Sequence, residues 1–179
     1  MQGGARVTIS RFLARAVATA CLAAGLPAAG GLPAGAVTAH SPAARAATQT
    51  VTVTSLAGAG SGSLASAILA ADTAPAGTGT VIRFAVAGTI KLGSALPPVT
   101  RPVIIDGRTA PGYRSGGPPV VEVNCHRHAG LVFAAGSGGS QLWALSVTAA
   151  RGNGVTLDAG RITLDRDYIG ITPAGRRLG

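Results

Sequence analysis

Leu142-Trp143-Ala144-Leu145-Ser146-Val147 and Leu164-Asp165-Arg166-Asp167-Tyr168-Ile169 align residue for residue at an offset of 22. Beside them, Gly130-Leu131-Val132-Phe133 aligns with Gly154-Val155-Thr156-Leu157 at an offset of 24. Two kinds of strand therefore recur in the same order with nearly the same spacing. Stepping back 22 from Leu142 reaches Val120, in the run Val120-Val121-Glu122-Val123. A sandwich of hairpins has no reason to keep such a period. A parallel β-helix does, because each turn of the solenoid lays its strands on those of the turn before and stacks like side chains. The expected class is all-β.

Working outward, the remaining runs are β-branched or aliphatic and separated by Gly and Pro. Strands are expected at Thr50–Thr54, Val81–Val86, Thr89–Leu92, Val103–Ile105, Val120–Val123, Leu131–Phe133, Leu142–Val147, Val155–Leu157 and Ile162–Ile169. One stretch has the other period. Leu64, Ala67, Ile68 and Ala71 fall on one helical face, with Ser61 or Ser63 ahead as N-cap and Pro75 and Gly77 as stop signals. Laid over the first turn of a solenoid, this short helix covers an edge that has no neighbour. Pro97–Pro98 and Pro111–Pro119 interrupt the early turns.

The first 46 residues have a different character. Met1 to Ala46 contains no acid, and Arg6, Arg11 and Arg15 precede the apolar run Ala16–Leu26. That run is too short to span a bilayer, which takes roughly 20 residues, and it suits a signal peptide. Small residues at Ala44-Arg45-Ala46 or Val37-Thr38-Ala39 mark cleavage sites. The expected division is 1–46 signal peptide, helical or without fixed structure, 47–79 capping strand and helix, and 80–179 incomplete parallel β-helix. A secreted, extracellular chain with no membrane span in its mature part follows. After cleavage 11 basic and 6 acidic residues remain, a net of +5. They are scattered and aromatics are few, which argues against a nucleic-acid surface. Cys125 is then alone, so no internal disulfide holds the fold, and it reads as a small buried apolar residue.

Three stretches resemble the secreted right-handed parallel β-helix repeat proteins of the pectate-lyase-like superfamily. Val51-Thr52-Val53-Thr54-Ser55-Leu56 followed by Gly62-Ser63-Leu64 is similar to that family's N-terminal capping segment. Val81-Ile82-Arg83-Phe84, Gly88-Thr89-Ile90, Ala95-Leu96-Pro97 and Val103-Ile104-Ile105-Asp106-Gly107 resemble its first turns. Asp167-Tyr168-Ile169-Gly170-Ile171-Thr172-Pro173-Ala174-Gly175 is similar to its recurring Asn-Tyr-Ile-Gly-Thr-Asp-Pro-x-Gly segment. The chain departs from the pattern at Ala65 (Arg in the family), Asp167 (Asn) and Thr172 (Asp). The resemblance implies a right-handed solenoid. It also implies further turns beyond Gly179, so that the chain reads as a fragment whose exposed last turn invites self-association.

On that reading the function expected is a secreted or cell-surface module for adhesion or glycan contact, without catalysis. The alternatives are a lyase or hydrolase acting on acidic plant or microbial polysaccharide, and a non-functional fragment. The family's lyases bind Ca²⁺ on the outer face. Asp165 and Asp167, two apart in a strand, would share a face, with Asp158 as a third carboxylate and Arg161 or Arg166 as the base. Asp165, Arg166 and Asp167 are thus the catalytic candidates, and Asp158, Asp165 and Asp167 the metal candidates. The competing reading is a solvated face with local ion pairs. Two or three carboxylates fall short of the roughly six oxygens Ca²⁺ takes, and no other cofactor is expected. A hydrolase needs two carboxylates across a groove, and Asp106 joins Asp165 and Asp167 as a candidate there.

Cys125-His126-Arg127-His128 has ligand-type residues, and His126 and His128 would share one side of an extended strand. Zinc needs further ligands, and a polar turn is the plainer reading. Gly136–Ser140 has no helix after it and reads as a turn rather than a phosphate cradle. Trp143, if it faces outward, is a platform for a sugar ring.

Overall fold

The computed structural model describes residues 48–177. The leader expected at Met1–Ala46, with Cys21 and His40, lies outside them. The described chain is mostly strand, arranged in parallel sheets with little helix. The elements are β1 (Thr48–Val53), α1 (Leu64–Asp72), β2 (Gly79–Phe84), β3 (Gly88–Lys91), β4 (Val103–Asp106), β5 (Val121–Asn124), β6 (Leu131–Phe133), β7 (Gln141–Trp143), β8 (Leu145–Thr148), β9 (Val155–Leu157), β10 (Thr163–Asp165) and β11 (Tyr168–Ile169). A single 3-10 turn follows β4 at Gly107–Thr109.

Sheet A runs β1-β2-β4-β7-β10, sheet B runs β11-β8-β5-β3, and sheet C pairs β6 with β9. Every pairing between these strands is parallel. Parallel neighbours cannot be joined by a tight turn, so the chain must travel before it returns. From β4 onward it visits A, B and C, then A, B and C again, then A and B. Isolated parallel bridges extend the scheme backward: Val99 meets Phe133 beside sheet C, and Ala57 meets Lys91 beside sheet B.

Side-chain alternation places Val51, Ile82, Ile105, Leu142 and Leu164 in one inward row across sheet A. Ile82, Ile105 and Leu142 are wholly buried. Ile90, Val123 and Val147 do the same in sheet B, and Val99 and Phe133 in sheet C. Each such side chain taken fully from water contributes about 1.5–3 kcal/mol, and the rows meet in one core. α1 begins at Ser63, whose hydroxyl accepts from Ser66 N–H at 3.2 Å. It buries the face formed by Leu64, Ala67, Ile68 and Ala71 and packs on β1 and β2. Among the described residues no helix is long and apolar enough to cross a membrane.

The 22 and 24 offsets appear as hydrogen-bonded registers. Leu164 lies beside Leu142, Ile169 beside Val147, and Leu131 beside Val155. Stepping 22 back from Leu142 to Val120 does not hold. Leu142 lies beside Ile105, 37 residues earlier, and Val121 lies beside Leu145 in another sheet. The 3-10 turn and the Pro-rich loop up to Pro119 separate β4 from β5, whereas Ala144 alone separates β7 from β8. The extra residues are spent in that corner and leave the sheets in register.

Two expected strands are broken. Leu142–Val147 is divided at Ala144 (φ 51°), and Ile162–Ile169 at Arg166 (φ 58°). A left-handed residue turns the chain from sheet A into sheet B at each place, and neither is the glycine that normally marks such a corner. Val81–Val86 likewise stops at Phe84.

Candidate functional site

The broken strand decides where the candidate carboxylates lie. Asp165 ends β10 with its side chain turned outward. Asp167 stands beyond the corner residue Arg166, so the period-two alternation does not carry across. Asp165 and Asp167 therefore do not share a face. Asp167 turns inward, where its Oδ1 accepts from Leu145 N–H at 2.8 Å. Its Oδ2 is buried and has no hydrogen-bond partner among the described residues. Burial pushes its carboxyl up to about 6, against the opposing effect of the Leu145 hydrogen bond. This residue holds the corner of the preceding pass. Phe84 at the end of β2 is held the same way, its N–H donating to Thr109 Oγ1 at 2.8 Å.

Asp158 is exposed at the end of β9, and Arg161 is exposed in the next turn. Arg166 approaches Asp165 only at 4.0 Å, both being nearly half exposed, a pairing worth little. Among the described residues no three His, Cys, Asp or Glu side chains lie close enough to hold a metal ion. The Asp158, Asp165 and Asp167 trio is thus spread over an exposed loop, an outer face and a half-buried corner.

His126 and His128 do not share a strand side either. The chain after β5 turns at His126 (φ 45°) and Arg127 (φ 67°), with His126 N–H on Asn124 Oδ1 at 3.0 Å. Cys125 is buried, and burial pushes its thiol up to about 11. Gly136–Ser140 is a turn, as expected. The Ser140 hydroxyl is held inside it and accepts from Val103 N–H at 3.0 Å.

The outer face of sheet A brings together residues the sequence kept apart. Its register sets Thr52, Arg83, Asp106, Trp143 and Asp165 side by side in one outward row. Trp143 faces outward and is partly exposed. Its Nε1–H donates to Gln141 Oε1 at 3.1 Å, and the guanidinium carbon of Arg108 lies 3.9 Å from its ring centroid. Asp106 fixes that guanidinium with both oxygens, Oδ1 on Nε at 2.7 Å and Oδ2 on the terminal nitrogen at 2.9 Å. Oδ1 also accepts from Arg108 N–H at 3.1 Å. Burial alone would raise the Asp106 carboxyl. The hydrogen bonds and charge of Arg108 outweigh it and hold the group below the usual carboxylate range.

The geometry depends on Gly107. A Cβ there would strike the Ala144 carbonyl and come within 2.8 Å of the Trp143 carbonyl, so only glycine lets the 3-10 turn lie this close to β7. One signal for this group was legible beforehand, the Asp106-Gly107 pair after an aliphatic run. Trp143 was legible as an aromatic, but its partners at 106 and 108 lie 37 and 35 residues away.

The row sets an indole with the clamped Arg108 guanidinium stacked on one face between the carboxylates of Asp106 and Asp165, across successive strands about 4.8 Å apart.

No protein-family model, curated protein or solved structure matches this chain.

Proposed function

We propose that this chain is a secreted or cell-surface module with a right-handed parallel β-helix, and that it contacts glycans through the outer face of sheet A without transforming them. The solenoid reading is supported by the repeated visits to sheets A, B and C and by the wholly parallel registers. Right-handedness is the strong preference of parallel crossovers. Export is supported by the acid-free leader at Met1–Ala46.

The observation that carries the binding reading is the Arg83–Asp106–Trp143–Asp165 row with Arg108 fixed beside the indole. Trp143 is held by Gln141 at its edge and by Arg108 on one face, so the indole and the stacked guanidinium would meet a ligand as one preordered unit. Asp106, committed to Arg108 and held ionised, is an acceptor rather than an acid. The same reading includes self-association through apolar side chains such as Leu157 and Ile169, which are 46% and 45% exposed.

Titration of the protein with soluble polysaccharides, following the fluorescence of Trp143, the chain's single tryptophan, tests this. The expected outcome is saturable change without chain cleavage of the glycan, with binding lost on Trp143→Ala by pull-down. Binding that survives Trp143→Ala and Arg108→Ala undiminished would refute the assignment to this face.

A further inference from the structure

We infer that the corner between sheets B and C is a docking ridge for an anionic lipid surface, and that it holds the chain there with sheet A turned away. This stands apart from the glycan reading of sheet A. The sequence spreads its basic residues along the chain, but the fold gathers five of them. Lys91 ends β3, Arg127 follows β5, Arg151 follows β8, and Arg176 and Arg177 follow β11. All four strands belong to sheet B. The turns stack directly on one another. Lys91 lies beside Asn124, Arg127 N–H donates to the Ala149 carbonyl at 2.8 Å, and Arg151 N–H donates to the His128 carbonyl at 2.9 Å. Arg177 bridges back to Ile171, just past β11.

Charge sets this corner apart. All five side chains are exposed, and neither salt bridge among the described residues involves one of them. Residues 92–98, 125–130, 149–154 and 170–177, which form the turns, contain no Asp or Glu. Glu122, on β5, is 8% exposed, and its carboxylate accepts from the Thr89 and Thr148 hydroxyls. The other six basic residues after the leader (Arg83, Arg101, Arg108, Arg114, Arg161 and Arg166) lie on sheet A or on the connections that enter and leave it, and the chain's six acids balance them in number. The net of +5 left after the leader is thus the charge of this one corner. A field of one sign along one edge draws an opposite surface.

Shape selects the partner. The five side chains project from exposed turns, and the hollow of about 350 Å³ at the far end, between Ala150, Gly154 and Ile169, is lined by none of them. No Phe, Tyr or Trp lies in the turns, so a base or a sugar ring has nothing to stack on. A line of cations over four passes, about 14 Å long at one strand spacing per pass, can touch a flat surface all at once. Headgroup phosphates suit the guanidinium forks of Arg127, Arg151, Arg176 and Arg177 as paired acceptors. In a coil of three sheets the B–C corner lies opposite sheet A, so a chain resting on it presents the Trp143 row to the solvent.

Co-sedimentation of the full chain with vesicles tests this, using phosphatidylcholine alone against three parts phosphatidylcholine to one of phosphatidylglycerol. Arg6, Arg11, Arg15 and Arg45 are changed to Gln in every sample, so that the leader adds no charge. The expected binding needs phosphatidylglycerol and is lost as salt rises from about 0.1 M to about 1 M. Each basic residue at an anionic surface contributes roughly fivefold, so Arg127→Gln with Arg151→Gln weakens binding roughly thirtyfold. Both positions are exposed, and the pair is expected to melt like the parent. Lys at both positions retains binding. Arg101→Gln with Arg114→Gln, which removes the same charge elsewhere, leaves it nearly unchanged. On the vesicles Trp143 stays open to acrylamide. Equal loss from the two Gln pairs overturns the ridge. Tighter binding of soluble polyphosphate or polygalacturonate than of vesicles, at equal anion concentration, assigns the ridge to a soluble polymer and overturns the lipid inference. Shielding of Trp143 on the vesicles overturns the orientation. Failure to bind phosphatidylglycerol vesicles overturns the whole inference and leaves the glycan reading of sheet A standing.

Discussion

Replacing Asp167 by Asn should remove a pH dependence of stability that the wild-type chain carries. The folded carboxyl sits at about 6 against an ordinary 3.8, chiefly because it is buried. Between roughly pH 4 and pH 6 the unfolded chain releases this proton while the folded chain keeps it. The unfolded state then binds fewer protons, so stability falls as pH rises through that window and levels off above it. At face value a displacement from 3.8 to about 6 corresponds to about 3 kcal/mol. The side chain is partly exposed, and solvent screening reduces this to about 1–2 kcal/mol. Asn keeps the oxygen that accepts from Leu145 N–H and has no charge to bury. Urea unfolding at pH 4 and pH 7.5 checks this. The variant should match the parent at pH 4 and exceed it at pH 7.5 by about 1–2 kcal/mol, a midpoint shift of about 0.5–1 M. Asp106, held low by Arg108, gives a slope of opposite sign, lost as pH falls below about 4. It is common to both chains and cancels in their difference. A difference that stays constant between the two pH values, or a variant weaker at pH 7.5, refutes the reasoning.

Leu142→Ala, in the middle of the inward row between Ile105 and Leu164, should cost about 2–5 kcal/mol by chemical denaturation. Gly130→Ala places a Cβ against the Gly154 carbonyl of the next pass. It should lower the melting temperature far more than Gly160→Ala, where a Cβ meets open space. Cys125 should react with a thiol reagent at pH 8 many times more slowly in the native protein than in denaturant, because its thiol is buried and shifted to about 11.

The wall of the fold was legible because stacking imposes a period on the sequence. Leu142 on Leu164 and Leu131 on Val155 could be paired by spacing alone. The helix was legible from Leu64, Ala67, Ile68 and Ala71, all of which are buried. Corners were not. Ala144 and Arg166 adopt positive φ without being glycine, so nothing in their identity announced a break. That one omission misplaced Asp167, since alternation counted through a corner puts a side chain on the wrong face. The Val120 register failed for a related reason: a period read from short passes does not survive a corner that has grown. Trp143 was noticed but its facing was open. The outward row became visible only once Arg83, Asp106 and Asp165 were seen as its neighbours across strands.

Leu142 takes Ile105 on one side after 37 residues and Leu164 on the other after 22. Turn length and wall geometry are thus separate variables in this protein. The entropy of closing a flexible loop grows only logarithmically, about 0.6 kcal/mol for each doubling. A guest peptide grafted between Gly116 and Gly117, in the long connection from β4 to β5, would therefore leave the wall standing. Nature or an engineer can decorate this corner without redrawing the frame that carries it.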